Sequence, residues 1–322
     1  MGKVLVTGGS GFIGSHVCDR LIQLGHEVVC YDNLLTSSIS NIQHLMEESG
    51  FEFLEHDIRD SESLKMALEG CTHVTHQAAL GSVPRSIDDP VRTNDINLVG
   101  GLNVLNIAKD EGVSRFVFAS SSSVYGDDPN LPKKEEVVGD VMSPYAASKA
   151  AFESYAKVFS RVHGMETIGM RYFNVFGPRQ SPDGPYAAVI PKFLYSLSEG
   201  ERPKIFGDGL QTRDFTYVEN VVNANIDALF GNCEKGFGKS FNVAFGKSIS
   251  IISLFEQLKE RYEEISGRSI DLDPEYFPER TGDVKDSLAD LSNVKECLGY
   301  EPMITTDEGL SKTTQWFIEN RG

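Results

Sequence analysis

Lys3-Val4-Leu5-Val6-Thr7-Gly8-Gly9-Ser10-Gly11-Phe12-Ile13-Gly14 is the stretch that decides the fold. Its first five residues are largely apolar and β-branched, as in a short buried strand. Glycines 8, 11 and 14 then open a helix whose apolar residues Ile13, Val17, Leu21 and Leu24 recur at helical spacing. Strand, bare-backbone turn and helix in that order bring N–H groups and a helix N-terminus to one point, which suits a pyrophosphate. The spacing is G-x-x-G-x-x-G, with the same physics as the commoner G-x-G-x-x-G. Glu27–Tyr31 reads as a second strand closed by Asp32 and Asn33. Asp32 stands about 20 residues beyond the glycines, where a carboxylate accepts bonds from an adenosine ribose and repels a 2′-phosphate, so NAD is expected over NADP.

Outward from this start, strands and helices alternate. Phe51–His56 is a third strand, Thr72–Ala79 a fourth running into small residues, Phe116–Ala119 a buried run, and Thr167–Tyr172 a sixth strand. The alternation predicts a doubly wound parallel α/β sheet. Helices are expected over Asn94–Glu111 and Pro144–His163, both apolar around much of their circumference and so buried on several sides. The segment 80–90 reads as a polar, proline-broken loop. After Gly177 the regularity breaks at Pro178, Pro182, Pro185 and Pro191, which marks the start of a smaller lobe. That lobe is expected to hold a helix over Ala188–Ser198, strands at Pro203–Phe206 and Thr212–Val218, and a last helix near Leu310–Ile318. Phe241–Ala244 reads as a strand returning to the main sheet, so the lobes interleave. The expected division is residues 1–177, with a returning segment near 215–250, for the dinucleotide domain and mainly 178–322 for the substrate lobe.

The chemistry concentrates between Arg115 and Lys149. Ser120 to Ser123 follow the buried run, so hydroxyls collect where a strand ends. Ser143 before Pro144 is a helix start: serine offers a capping oxygen, and proline at the first position lacks only an N–H that would be orphaned. Tyr145 and Lys149 therefore lie one turn apart on one helix face. A phenol of ordinary pKa about 10 becomes a base only if positive charge stabilises its anion. Lys149 can supply that charge.

The chain has 322 residues, enough for one large α/β domain with a smaller lobe. Its 47 acidic against 30 basic residues, a net charge of −17, argue against non-specific nucleic-acid binding. Cys18, Cys30, Cys71, Cys233 and Cys297 show no C-x-x-C pair and no metal-ligand spacing, so reduced thiols and no metal are expected. No apolar segment has the length of a signal peptide or membrane span, which points to a cytoplasmic protein without a membrane partner.

The glycine-rich start, the serine cluster and Tyr145-x-x-x-Lys149 together resemble the short-chain dehydrogenase/reductase superfamily, in its extended, nucleotide-sugar-modifying branch. The resemblance covers essentially the whole chain and implies a Rossmann fold. It implies NAD held by Gly8, Gly11, Phe12, Ile13, Gly14, Asp32, Asn33, Ser37, Asp57, Ile58, Gln77, Ala78, Ala79, Asn97, Tyr145, Lys149 and Tyr172. It implies a catalytic Ser121, Tyr145 and Lys149; the family's serine or threonine stands three before the Val of Val-Tyr-Gly, here Val124, with Ser122 and Ser123 as next candidates. A UDP-sugar would contact Gly81, Ser82, Arg85, Ser122, Ser123, Asn174, Ala188, Val189, Lys204, Phe206, Arg213, Arg280, Asp283 and Ser287. Forked guanidiniums at Arg213 and Arg280 match diphosphate oxygens. The two long apolar helices would form a four-helix homodimer interface.

In this branch, oxidation at C4 leads to epimerisation, dehydration or decarboxylation. The dehydratases carry an Asp-Glu pair where this chain has Ser122-Ser123, and the decarboxylases carry a Glu where Ser123 stands. Epimerisation needs no added carboxyl group. The combination of Gly81-Ser82-Val83-Pro84-Arg85-Ser86 with Ser120–Gly126 resembles epimerases acting on UDP-N-acetylhexosamines. Ser287 stands where epimerases restricted to plain hexoses carry a bulky Tyr, leaving space for an N-acetyl group. The expected activity is NAD-dependent C4 epimerisation of UDP-GlcNAc and UDP-GalNAc through a 4-keto intermediate. A UDP-glucuronate or UDP-GlcNAc-uronate 4-epimerase, or a non-catalytic dinucleotide sensor, is the alternative.

Overall fold

The computed structural model describes residues 2–183, 187–279 and 285–320. Six strands, β1 (Lys3–Thr7), β2 (Glu27–Asp32), β3 (Phe51–Glu55), β4 (Cys71–His76), β5 (Arg115–Ser121) and β6 (Glu166–Tyr172), are joined by Lys239–Val243 in one sheet. Its order is Lys239–Val243, β6, β5, β4, β1, β2, β3, with every neighbouring pair parallel. This is the expected doubly wound Rossmann sheet, and the returning strand is its edge.

Both faces are covered. Side chains alternate across the pleat, so Val4, Val6, Val28, Cys30 and Val117 join one core and Leu5, Val29, Tyr31, Phe116 and Phe118 the other. The first core includes helix α1 (Phe12–Gln23) and the helix Val218–Phe230; the second includes Ser61–Leu68, Gly101–Asp110 and part of Pro144–His163. Each fully buried large apolar side chain contributes about 1.5–3 kcal/mol.

The lobe is built from short pairings. Lys204–Phe206 runs parallel to Glu275–Phe277, Thr212–Asp214 antiparallel to Ser248–Ser250, and Val175–Phe176 parallel to Thr216–Tyr217. Asp214, fully buried, ties three segments: its carboxylate accepts the N–H groups of Phe245, Gly246 and Ala289.

Several expectations change. The segment 80–90 is not a loop throughout. Val83–Asp88 is a helix with Pro84 in its first turn, and Ser82 caps it by accepting from the Arg85 N–H at 3.3 Å. The helix expected over 94–111 is three pieces: Pro90–Asn94, a π-helical turn at Asp95–Gly100, and Gly101–Asp110. Its two glycines admit neighbours that side chains would exclude. A Cβ at Gly100 would lie 2.8 Å from Ile58, and one at Gly101 2.9 Å from Phe152. The strand expected over 212–218 ends at Tyr217, and Val218 begins a helix. Nor is the helix Pro144–His163 buried all round, since Tyr155, Val158 and Val162 are 44%, 52% and 65% exposed.

Candidate active site

At the carboxyl ends of β1, β2, β4 and β5 lies a cavity of about 430 Å³. The glycine turn forms one wall. Gly8 has φ +68°, and a Cβ there would stand 2.6 Å from the Ala78 nitrogen; a Cβ on Gly14 would meet the Gly8 carbonyl oxygen at 2.1 Å. Only glycine permits the strand, the helix and the small residues after β4 to meet this closely. Gly11 precedes α1 and offers no side-chain cap, so the first N–H groups of that helix have no capping side chain. They form a cradle for a diphosphate.

Asp32 closes β2. Its Oδ1 accepts the Leu34 N–H at 2.8 Å and the Ser37 hydroxyl at 2.9 Å, and its Oδ2 accepts the Ser10 N–H at 3.2 Å. Oδ2 thus keeps capacity for a ribose hydroxyl. Asp57 and Ile58 line the same cavity beyond Asp32. The Arg59 guanidinium holds the Asp57 carboxyl down to about 2, and Asn33 donates to it at 2.8 Å. Bare backbone, an uncapped helix start and a carboxylate with spare acceptor capacity on one cavity fit a dinucleotide without a 2′-phosphate.

The opposite end holds Ser121, Tyr145 and Lys149. Ser143 caps its helix by accepting the Ala146 N–H at 3.1 Å, which sets Tyr145 and Lys149 over the end of β5. Lys149 is 4% exposed and donates to the Ala119 carbonyl at 2.7 Å, with Nζ 5.9 Å from the Tyr145 ring centre. Burial lowers the Lys149 ammonium to about 8, opposed by the Glu153 carboxylate. Burial also raises the Tyr145 phenol, opposed by a hydrogen bond with Ser121. The Ser121 Oγ accepts from the Ser123 N–H at 3.2 Å and the Ser123 hydroxyl at 3.0 Å. Of the three candidate serines, Ser121 lines the cavity with Tyr145; Ser122 and Ser123 lie behind it in the turn Ser122–Tyr125.

Every residue expected at the cofactor lines this cavity except Asn97. Asn97 instead braces the wall: its Oδ1 accepts the Leu80 N–H at 2.7 Å, and its Nδ2 donates to the Leu80 carbonyl at 3.1 Å. Gly81 and Asn174 line the same cavity, and Asn174 has φ +31°. A neighbouring cavity of about 510 Å³ is walled by Asn174, Val189, Lys204, Phe206 and Arg213. Ser82, Arg85, Ala188 and Ser287 line neither. Ser287 is 9% exposed, with its N–H on the Thr212 carbonyl at 3.2 Å. Arg280 and Asp283 lie outside the described residues.

A supporting ring was not read from the sequence. Asn225 donates to the Tyr172 hydroxyl at 2.8 Å, that hydroxyl donates to Gln77 Oε1 at 3.1 Å, and Gln77 Nε2 donates to Asn225 Oδ1 at 2.9 Å. Asn225 lies on the buried side of Val218–Phe230 among Val221, Val222, Ala228 and Leu229, and its only trace in the sequence is a polar residue between apolar neighbours.

Residues 4–244 match the profile of the NAD-dependent epimerase/dehydratase family. The chain belongs to that family. It is an NAD-dependent isomerase of the 4-epimerase type. Family relatives span several sugars. A UDP-N-acetylglucosamine 4-epimerase from Methanobrevibacter ruminantium, solved with UDP-N-acetylmuramic acid, is 40% identical over 99% of both chains, with a TM-score of 0.91. The UDP-glucose 4-epimerase of Thermus thermophilus, solved with NAD, is 35% identical over 98% of this chain and 99% of its own, with a TM-score of 0.86. A UDP-glucuronate 4-epimerase of Thermodesulfobacterium geofontis is 36% identical, over 99% of this chain and 97% of its own length. Among the described residues no helix is long and apolar enough to cross a membrane, and no His, Cys, Asp or Glu cluster could hold a metal.

Proposed function

We propose that this epimerase interconverts UDP-GlcNAc and UDP-GalNAc by inverting C4. The observation that carries the epimerase reading is the convergence of Ser121, Tyr145 and Lys149 at one cavity end. The acidic residues lining that cavity, Asp32 and Asp57, belong to the cofactor end. Glu153 nearby is engaged by Ser120 and Arg171. Among the described residues lining this cavity no carboxyl is left to assist elimination or loss of carbon dioxide, whereas epimerisation needs none.

Ser121 hydrogen-bonds the sugar's C4 hydroxyl and aims it at Tyr145. Tyr145 takes the hydroxyl proton as general base and returns it after the 4-keto sugar has turned over. Lys149, fixed by the Ala119 carbonyl, holds positive charge beside the phenol and favours its anion. NAD bound in this cavity would supply reversible hydride acceptance at C4. The glycine turn, Asp32 and Asp57 would hold its diphosphate, ribose and adenine, while Asn174, Lys204, Phe206, Arg213, Arg280 and Asp283 would hold the UDP.

The N-acetylated substrate is supported by the 40% identity to the Methanobrevibacter enzyme; Ser287, whose side chain lines neither cavity, enters only as a test of that reading. Uronates are the second reading, supported by the 36% identity to the Thermodesulfobacterium enzyme. Incubating the purified protein separately with UDP-GlcNAc, UDP-Glc and UDP-GlcA distinguishes them; faster turnover of UDP-GlcA defeats the hexosamine assignment. Ser287→Tyr should suppress UDP-GlcNAc turnover and spare UDP-Glc. Equal effects on both would remove Ser287 from specificity. We further infer a cytoplasmic homodimer, with a dinucleotide domain of residues 1–177 plus a segment near 215–250. The exposed apolar face of Val99, Tyr155, Val158 and Val162 supports pairing of two copies.

A further inference from the structure

Lys149 is a nearly buried cation, so its charge needs support beyond one carbonyl. On its own helix it is flanked by Tyr145 one turn before and Glu153 one turn after. From β4 it meets the His76 ring, which burial, seconded by Lys149, lowers to about 3, so that side is neutral at working pH. From β5 come the Ala119 carbonyl and two serine hydroxyls. From β6 comes Arg171, whose Nε and Nη2 donate to the two Glu153 oxygens at 3.0 and 2.8 Å. The π-helical turn adds Asn97, bonded to Ser148 at 3.3 Å, and its carboxylate, Asp95, is paired with Arg59 at 2.5 Å.

Glu153 also reaches the strand. Ser120 Oγ donates to its Oε1 at 2.5 Å, while Lys149 holds the Ala119 carbonyl at 2.7 Å. Two successive strand residues are thus bolted to two helix residues one turn apart. Both serines line the cavity, but their hydroxyls part: Ser120 Oγ goes to Glu153, while Ser121 Oγ accepts from Ser123. The bolt sets the strand end that presents Ser121 against the helix that presents Tyr145. Arg171 is held in turn by the Glu135 carbonyl at 3.2 Å and by the Tyr125 ring, 4.9 Å from its guanidinium carbon.

We propose that Glu153 is a positioning residue for epimerisation: through Ser120 it fixes the Ser121 strand end against the catalytic helix, and its carboxylate is the counter-charge that keeps Lys149 cationic. The inference rests on Lys149 and Tyr145 acting in the chemistry, as set out under Proposed function.

The test is a pH profile of kcat, with KM and bound NAD, on the purified enzyme carrying Glu153→Gln, Glu153→Asp or Ser120→Ala. Glu153→Gln keeps an acceptor for Ser120 but removes the charge. Its alkaline limb should move down by about one pH unit, a rate loss of roughly tenfold on that limb. Glu153→Asp should restore the limb toward wild type. Ser120→Ala should lower kcat about tenfold with the limb, KM and NAD content unchanged. An unmoved limb in Glu153→Gln with wild-type kcat overturns the proposal. If that variant does not fold, Glu153→Met with Arg171→Met removes the pair without stranding a buried charge, and a wild-type profile there overturns it equally. Lys149→Met separates the two levels. Retained turnover defeats the catalytic reading itself; lost turnover beside unaltered Glu153 variants defeats only the positioning role.

Discussion

At Tyr145 and Lys149, burial works against the chemistry proposed for the pair. It raises the phenol and lowers the ammonium to about 8, so both are driven toward their neutral forms. The phenolate therefore exists in quantity only when positive charge is close, and Lys149 is the protein's own source. Because the Lys149 pKa lies below its ordinary value, its charge is present below about 8 and is lost as pH rises through that value. The pH profile of kcat should accordingly fall on the alkaline side near pH 8; a rate that keeps rising well beyond it would deny Lys149 its electrostatic role. Tyr145→Phe removes the proton carrier while leaving the ring. It should cut turnover by roughly 10²–10⁴ with NAD retained, measured by epimerisation rate and by nucleotide released on denaturation.

The glycine turn shows which part of an element is conformation and which is clearance. Gly8 and Gly70 share a positive φ, +68° and +74°. A Cβ at Gly70 meets nothing within 4 Å, whereas at Gly8 it meets Ala78 backbone at 2.6 Å. Gly70→Ala should cost about 1 kcal/mol of stability and leave NAD content intact. Gly8→Ala should lose NAD as well, because the shift needed to relieve the clash moves the wall of the cofactor cavity. Equal NAD content in the two variants would show that close approach is not the reason for Gly8. This turn was legible in the sequence because its requirement is local. So was the helix Pro144–His163, whose cap, first-turn proline and terminal Gly164 all lie within it or beside it. The helix Val218–Phe230 was not, since Thr216, Tyr217 and Val218 continue a β-branched and aromatic pattern, and only packing on the sheet ends the strand at Tyr217. Asn97 was assigned to the cofactor yet braces Leu80. It sits on a π-helical turn ending in Gly100, where Gly100 and Gly101 lie against Ile58 and Phe152, contacts between segments distant in sequence. The Ser120–Glu153–Arg171 bolt and the Asn225 ring are likewise tertiary, and no spacing along the chain announces them.

At the scale of the whole molecule, charge and apolar surface pull in opposite directions. A net charge of −17 makes two copies repel, so a dimer requires an apolar face large enough to win. Val158 and Val162, one turn apart, with Tyr155 on the preceding turn and Val99 on the adjoining helical segment, are 44–65% exposed in a single chain. Covering this face with its equivalent in a second copy would remove it from water at roughly 25 cal/mol per Å² of apolar surface. It would also immobilise the outer side of the helix whose inner side carries Tyr145 and Lys149. Replacing Val158 and Val162 together by Glu places like charges across such a contact and should yield monomers in sedimentation velocity. Raising the salt concentration screens the general repulsion and should strengthen pairing of the wild-type chain, but it leaves the apolar gap in the double variant unfilled. If that variant sediments as the wild type does at both salt concentrations, copies of this chain do not pair through this face.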